Sequence, residues 1–520
     1  MVWQAEVEEI GRRREMAYEM GGPERVADQH ARNKLTIRER IAALVDEDSF
    51  LERGVLAGSA EYAEDGLTLV NFLPASYVAG IAQLDGRPVV VGGGDFTSRS
   101  RPSAAERGQR TKQAEAQAIA LDLKLPLVSL LDGFGADIRT IEAIGRTYLG
   151  AGGFGGIFID LMGEVPVVCA ALGSVAGAPA GESAACHFNV MVKGVSQIFA
   201  AGPPLVKRAL GMDIDKEDLG GYRVHARASG LVDNEAEDEA DAFRQIRAFL
   251  SYMPSNIYEA PPVCETDDPS DRREEALLSL IPRERNRPYL VRKMIDLIVD
   301  RGSAFEMSRY FGPSQVTMLA RVAGRPVGIL ANDPMSNGGA MDASAAQKLE
   351  RFVDLCDTFH LPVINFVDQP GFMIGPDAER SGTLRHGMSA LAAIHQAKIP
   401  WATVVVRRWY GVAGAGQQAG GRFNFRVAWP SGEWGSLPIE GGVAAAYRRE
   451  IEAAPDPNAH RKSIEDRMIA VRSPFRTAEA FSAEDIIDPR DTRSLLTQWV
   501  ELAYRVLPTQ LGPRERRIRP

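Results

Sequence analysis

The chain has 520 residues, 45% of them hydrophobic and 25% charged, with a net charge of −9. These proportions match a soluble globular protein and exclude disorder, collagen or coiled coil as a description of the whole. The acidic balance argues against nucleic acid as the main partner, because phosphate binding needs a basic surface.

Residues 1 to 45 carry helical periodicity, and Thr36 is placed to cap a turn that holds Arg38, Glu39 and Arg40. The first twenty residues are rich in Glu and Arg without an apolar core, unlike a signal peptide. No apolar run reaches the 18 or so residues of a membrane span. The expected location is therefore the cytoplasm, with no membrane contact. Four cysteines, Cys169, Cys186, Cys264 and Cys356, are too few for a disulfide scaffold and fit a reducing compartment. None sits at C-x-x-C spacing, and the seven histidines include no H-x-x-x-H pair, so no metal is expected. Cys356 lies in the apolar stretch 352–359 and reads as a core residue.

After residue 45, strand-like runs alternate with longer helical stretches, an α/β pattern. The rhythm breaks at 259–288, where Pro261, Pro262, Pro269, Pro282 and Pro288 stand among dense charge. This stretch reads as a linker between domains at 1–258 and 289–520.

The two halves repeat. Gly86-Arg87-Pro88-Val89 recurs as Gly324-Arg325-Pro326-Val327. The run from Leu125-Pro126 to Asp132 recurs from Leu361-Pro362 to Asp368. Val165-Pro166 opens a strand ending at Ala176-Gly177-Ala178, as Ile399-Pro400 opens one ending at Tyr410-Gly411-Val412. The offsets are 238, 236 and 234 residues, a slow drift expected of a duplicated domain with small indels. In each copy a helix leads through Leu-Pro or Ile-Pro into a buried strand, then a small-residue turn, then another helix. The 50 glycines, against a usual share of about 7%, cluster in such places. Turns of this kind present free N–H groups, ready for anions and oxyanions. The alternative is that the glycines only permit close packing.

Further motifs carry a family resemblance over almost the whole chain. Asn33-Lys34-Leu35-Thr36-Ile37-Arg38-Glu39-Arg40-Ile41, Asp95-Phe96-Thr97, and Leu219-Gly220-Gly221 with His225 and Ser229-Gly230 are three of them. In the second half, Asn332-Asp333-Pro334, Asp342, Lys348, Phe352-Val353, Cys356-Asp357, Phe359 and the run Phe366 to Gly375 are others. Together they resemble the carboxyltransferase (beta) subunits of biotin-dependent acyl-CoA carboxylases, such as propionyl-CoA and methylcrotonyl-CoA carboxylase.

The resemblance implies two tandem crotonase-like domains, the first on the acyl-CoA side and the second on the carboxybiotin side. It implies transfer of a carboxyl group from carboxybiotin to the α (or vinylogous) carbon of an acyl-CoA, through an enolate held by backbone N–H groups. Biotin itself moves the proton, so no side-chain acid or base is required. Carried over by position, Gly177 and Ala178 would hold the thioester oxygen. Val412 and Ala413, with Gly411 shaping the turn, would hold the biotin ureido oxygen. Gly135 and Ala136 fall on the coenzyme A side, and Pro370, Gly371 and Phe372 on the biotin side. Arg99, Arg101 and Lys112, with Arg107 and Arg110, would meet the phosphates of coenzyme A; a solvated helix face is the alternative. The biotin carboxylase and the biotin carboxyl carrier would be on other chains. A homo-oligomer, commonly a hexamer, is implied, with the first domain of one chain against the second domain of another.

Four departures fall near the acyl-CoA. Phe134 replaces a glycine and Asp137 a basic residue, Pro179 follows the first turn, and Ala415 replaces an acidic residue. They leave two other readings open: a biotin-independent acyl-CoA decarboxylase, hydrolase or C–C lyase, and a catalytically silent scaffold subunit.

Overall fold

The computed structural model describes residues 2–98, 111–134, 141–142, 145–147, 156–418, 425–516 and 518–520. It divides into two compact units, Met1–Ser251 and Tyr252–Pro520.

The first unit is built on eight strands: β1 (Leu51–Glu52), β2 (Tyr77–Leu84), β3 (Arg87–Gly94), β4 (Leu127–Phe134), β5 (Val167–Ala176), β6 (Phe188–Val192), β7 (Gln197–Phe199) and β8 (Asn234–Ala236). Across the sheet they run β1-β2-β3-β4-β5-β6-β8, and β7 pairs with the far end of β5. The first three are antiparallel and the rest parallel. Both faces of β5 are buried along most of its length, which is why it reads as a nearly continuous apolar run.

The second unit repeats this strand for strand with β9 (Phe305–Met307), β10 (Gln315–Val322), β11 (Arg325–Asn332), β12 (Val363–Gln369), β13 (Trp401–Tyr410), β14 (Phe425–Ala428), β15 (Glu433–Gly435) and β16 (Asp485–Ile486). The order is β9-β10-β11-β12-β13-β14-β16, and β15 pairs with β13. Each unit has its own core. Val90, Leu127, Val167 and Phe158 belong to the first, and Ile329, Ile364, Val404 and Trp429 to the second.

The repeat extends to local devices. The β2–β3 hairpin turns at Asp85-Gly86 with φ of 51 and 75°, and the β10–β11 hairpin at Ala323-Gly324 with φ of 50 and 75°. Two successive positive φ values are those of a type I′ turn, which suits the twist of a hairpin. Asp46 accepts from both amides of the first turn, at 3.1 and 2.8 Å. Asp300 does the same for the second, at 3.0 and 2.7 Å. Arg247 pairs with Asp46 at 3.1 Å and Arg493 with Asp300 at 2.8 Å. The pairing of β4 with β5 slips between Leu131 and Gly133, and that of β12 with β13 between Val367 and Gln369.

Residues 259–288, read as a linker, lie within the second unit. Leu277 is in its core. Arg272 donates to the carbonyls of Leu297 and Val299 at 3.0 and 2.8 Å. The prolines keep the segment irregular, and its charged side chains, paired onto the unit, hold it down. Among the described residues no helix is long and apolar enough to cross a membrane.

His360 supplies a pH test of the second unit. Its Nε2–H donates to the carbonyl of Ile257 at 2.6 Å, and its Nδ1 accepts from Arg514 at 2.6 Å. Burial, then the Arg514 charge, lowers its pKa to about 4. A histidine held neutral contributes fully above its unfolded pKa, and the contribution fades as pH falls toward the folded value. The denaturation midpoint should therefore drop between pH 6.5 and 4 (roughly the span between the two values). His360→Gln should flatten that part of the profile in urea titrations; an unchanged slope would contradict the assignment.

Candidate active site: two glycine turns

In the first unit, β5 ends at Ala176 and the chain turns at Gly177, with φ 72 and ψ −131°. A side chain there would be strained, so glycine is required. Helix Ala178–Ala185 begins immediately, with Pro179 in its first turn. Proline's fixed φ suits a helix start, but it has no N–H. No side chain caps this helix, which leaves the Ala178 N–H at an exposed N-terminus without an intrahelical acceptor.

Three residues of β7 pair with the last three of β5, at Ser174↔Gln197, Val175↔Ile198 and Ala176↔Phe199. The residues of the L-G-G…H…S-G motif brace this pairing. A Cβ at Gly220 would lie 2.1 Å from the Ile198 carbonyl oxygen. His225 donates from Nε2 to that carbonyl at 2.8 Å, while its Nδ1 pairs with the Ser229 hydroxyl at 3.0 Å. Burial holds the His225 pKa below its usual value, which keeps the ring neutral.

The N-terminal motif braces the neighbouring strand end. Thr36 forms a capping box with Glu39 at the start of helix Ile37–Leu44, as its sequence suggested. Asp132, near the end of β4, is buried against Lys34 Nζ at 2.5 Å and Arg40 at 3.0 Å. Arg40 also holds Glu239 at 2.7 Å and the Leu172 carbonyl at 3.0 Å. In Asp95-Phe96-Thr97, the Thr97 N–H and hydroxyl donate to Asp95 at 2.9 and 2.6 Å. The Phe96 ring lies under Lys34 Nζ, 4.8 Å away.

Arg99, Arg101, Arg107, Arg110, Gly135, Ala136 and Asp137 lie outside the described residues. Lys112 is described: its ammonium pairs with Glu52 at 3.0 Å. Glu52 is also held by Arg38 at 2.5 Å.

In the second unit, β13 ends at Tyr410, and Gly411 has φ 62°. The short helix Gly411–Ala415 follows, again without a side-chain cap. Val412 is 59% exposed and Ala413 is buried. Matched by strand end and positive φ, Gly177 corresponds to Gly411, Ala178 to Val412 and Pro179 to Ala413. The second turn thus has two backbone donors after its glycine where the first has one.

Its supports repeat too. Glu433 in β15 holds Arg285 at 2.7 Å, and Arg285 reaches the Tyr410 hydroxyl at 3.4 Å. Asp368, the counterpart of Asp132, is buried between Arg407 at 2.9 Å and Arg408 at 2.5 Å. Pro370, Gly371 and Phe372 form a pinned loop beside it. The Gly371 N–H, at φ 132°, donates to the Gln369 side chain at 3.0 Å. The Gly371 carbonyl accepts from Met341 at 3.1 Å. The Phe372 ring presses on helix Thr383–Gln396, where a Cβ at Gly387 would lie 2.3 Å from it. Cys356 is buried and its thiol pKa is pushed up by that burial, so it is packing and not a nucleophile.

Sequence reasoning found both turns. It missed the buried charges behind them, Asp132 and Asp368, although each ends a repeated segment. It also missed Arg285, which it assigned to a linker. Each turn can polarise a carbonyl or hold an oxyanion with backbone N–H groups, and neither places an ionisable side chain within the turn itself.

Residues 28–518 match the Carboxyl transferase domain family. The propionyl-CoA carboxylase, carboxyltransferase subunit, of Haloferax mediterranei is 32% identical over 95% of this chain and 95% of its own length. The methylmalonyl-CoA decarboxylase subunit alpha of Veillonella parvula is 33% identical over 91% of each chain. The crystal structure of transcarboxylase 12S, a hexamer assembly with methylmalonyl-coenzyme A and methylmalonic acid bound, aligns with a TM-score of 0.85. It is 30% identical, and the match covers 99% of this chain and 96% of that one.

Proposed function

This chain belongs to the carboxyl transferase family, and from that premise we propose that it is the carboxyltransferase subunit of a biotin-dependent acyl-CoA carboxylase. It moves a carboxyl group to the α (or vinylogous) carbon of an acyl-CoA. The observation that carries this reading is the repeated uncapped glycine turn, at Gly177 and again at Gly411.

In the first unit the Ala178 N–H, on Gly177's turn, meets the thioester oxygen as negative charge develops there. In the second, the N–H groups of Val412 and Ala413 meet the ureido oxygen of biotin. Negative charge would develop on that oxygen as the carboxyl group leaves, and a pair of backbone donors suits it. Biotin supplies the carboxyl group and takes up the substrate proton, which fits turns that hold no side-chain acid. Pro370, Gly371 and Phe372 wall the biotin side. Gly135 and Ala136 wall the coenzyme A side. Arg99 and Arg101 meet the phosphates, while Lys112, tied to Glu52, anchors the helix that follows them. The biotin carboxylase and the biotin carrier are separate chains. The assembly is a homo-oligomer, a hexamer by likeness to transcarboxylase 12S, and works in the cytoplasm.

The test is a pull-down for a biotinylated partner, followed by carboxylation assays over a panel of acyl-CoA thioesters. The expected result is transfer that needs the biotinylated chain. Turnover of a thioester by this chain alone would replace the reading with a biotin-independent acyl-CoA enzyme. Absence of any coenzyme A binding would leave a scaffold subunit.

A further inference from the structure

Arg285 comes from the segment 259–288, outside the repeated strands, and its guanidinium reaches three elements that frame the second turn. Its Nε and Nη2 both donate to Glu433 Oε1, at 3.0 and 2.7 Å. Glu433 opens β15 and is buried. Nη2 also donates to the Tyr410 hydroxyl at 3.4 Å, on the last residue of β13. Nη1 donates to Glu440, in helix Ile439–Ala446.

Each of these contacts bears on Gly411. β15 pairs with the end of β13 at Arg408↔Glu433 and Tyr410↔Gly435, so holding Glu433 holds the strand end from which the chain turns. Ser436 lies between Gly435 and Glu440, and its carbonyl oxygen is 3.6 Å from where a Cβ at Gly411 would stand. Burial, then the Glu433 charge, pushes the Tyr410 hydroxyl up to about 12. It therefore stays neutral near pH 7 and offers Arg285 an acceptor beside the turn. Arg472 also approaches Glu433, at a longer 3.4 Å.

The first turn is braced by other means. Gln197 faces Ser174 in β7 as Glu433 faces Arg408 in β15. It accepts from the Ser174 hydroxyl at 2.7 Å and donates to Glu217 at 3.0 Å. That brace runs through a neutral amide, whereas the forked ionic brace belongs to the second copy.

We propose that Arg285 is a positioning residue for the carboxybiotin half of the transfer. Acting through Glu433, Tyr410 and Glu440, it fixes the turn so that the N–H groups of Val412 and Ala413 stay aimed at the ureido oxygen. Donors that drift lose much of their effect on a developing charge, because that effect depends on geometry set in advance. This inference rests on the carboxybiotin reading of the second turn.

The experiment compares the wild type with Arg285→Met, Arg285→Lys and, from the same segment, Arg273→Met, which breaks exposed pairs with Asp488 and Asp491. Transfer from the biotinylated partner is measured against acyl-CoA concentration. Arg285→Met should lower kcat on the order of tenfold and leave the KM for acyl-CoA unchanged. Lysine keeps the charge but not the fork, and should recover part of the loss. Arg273→Met should behave as wild type. Hydrogen exchange gives a readout independent of transfer. The amides of Gly416 and Gln417, bonded to the Val412 and Gly414 carbonyls, should exchange faster in Arg285→Met, while that of Gly181, bonded to Gly177, should not change. A kcat within twofold of wild type, a KM that rises as kcat falls, or a lysine variant no better than methionine would overturn the proposal. If the wild type transfers nothing, the proposed function fails, and unchanged exchange at Gly416 and Gln417 would then overturn the brace separately.

Discussion

Gly177→Pro should lower carboxyl transfer by about 10²-fold or more while leaving the far-UV circular dichroism unchanged. The native φ is 72°, and proline is locked near −65°. The peptide planes on both sides of the residue must rotate, and the Ala178 N–H no longer points where the thioester oxygen sits. Gly177 is exposed at the end of its strand, so the disturbance stays local. The loss is large because Pro179 removes the donor that Ala413 supplies in the other copy, which leaves this turn little redundancy. Gly411→Pro should be milder for substrate binding: acyl-CoA affinity should hold while transfer from the biotinylated partner falls. Steady-state kinetics with both substrates would distinguish the two variants. A Gly177→Pro enzyme within threefold of wild type would remove the first turn from the mechanism.

Arg40→Met should destabilise the first unit by about 3–5 kcal/mol, the cost of leaving buried charge without its partner. Arg40 is fully buried and holds Asp132, Glu239 and the Leu172 carbonyl together. Methionine fills much of the space but offers no donor. Asp132 would keep Lys34, while Glu239 would lose its charged contact from Arg40. Urea denaturation followed by near-UV circular dichroism reads the shift. Arg12→Ala, which removes an exposed pair with Glu9, should leave the midpoint unchanged, because solvent screens such pairs. Equal effects of the two substitutions would show that the Arg40 cluster carries no special weight. Because Asp132 lies two residues before the end of β4, Arg40→Met should also lower turnover at temperatures where the protein remains folded.

Several features were legible because they are local. The Thr36 cap is declared by Thr36 and Glu39 three residues apart. The hairpin at Gly324 and the turns at Gly177 and Gly411 need positive φ, which glycine adopts without strain, and the repeat marks all three. The duplication of the fold followed from one identical word and two similar ones at nearly constant offsets. The supports of the site are not local. Asp46 and Arg247 are 201 residues apart, Asp300 and Arg493 are 193 apart, and no pattern along the chain links them. The same holds for Arg40 and Glu239, 199 apart. Lys112 is a further case: its neighbours along the chain place it in a basic cluster, and only the fold shows that it pairs with Glu52.

By itself, then, the sequence determined a duplicated α/β domain and two glycine turns, because steric limits on φ and the Leu-Pro entry to each strand act over a few residues. Only the tertiary structure decided which charges brace those turns, how 259–288 packs on the second unit, and that Glu182 is buried against Gln113 and Gln117. An ion pair or a buried carboxyl takes its character from whatever the fold places within about 3–4 Å of it, and that neighbourhood is drawn from residues scattered along the whole chain.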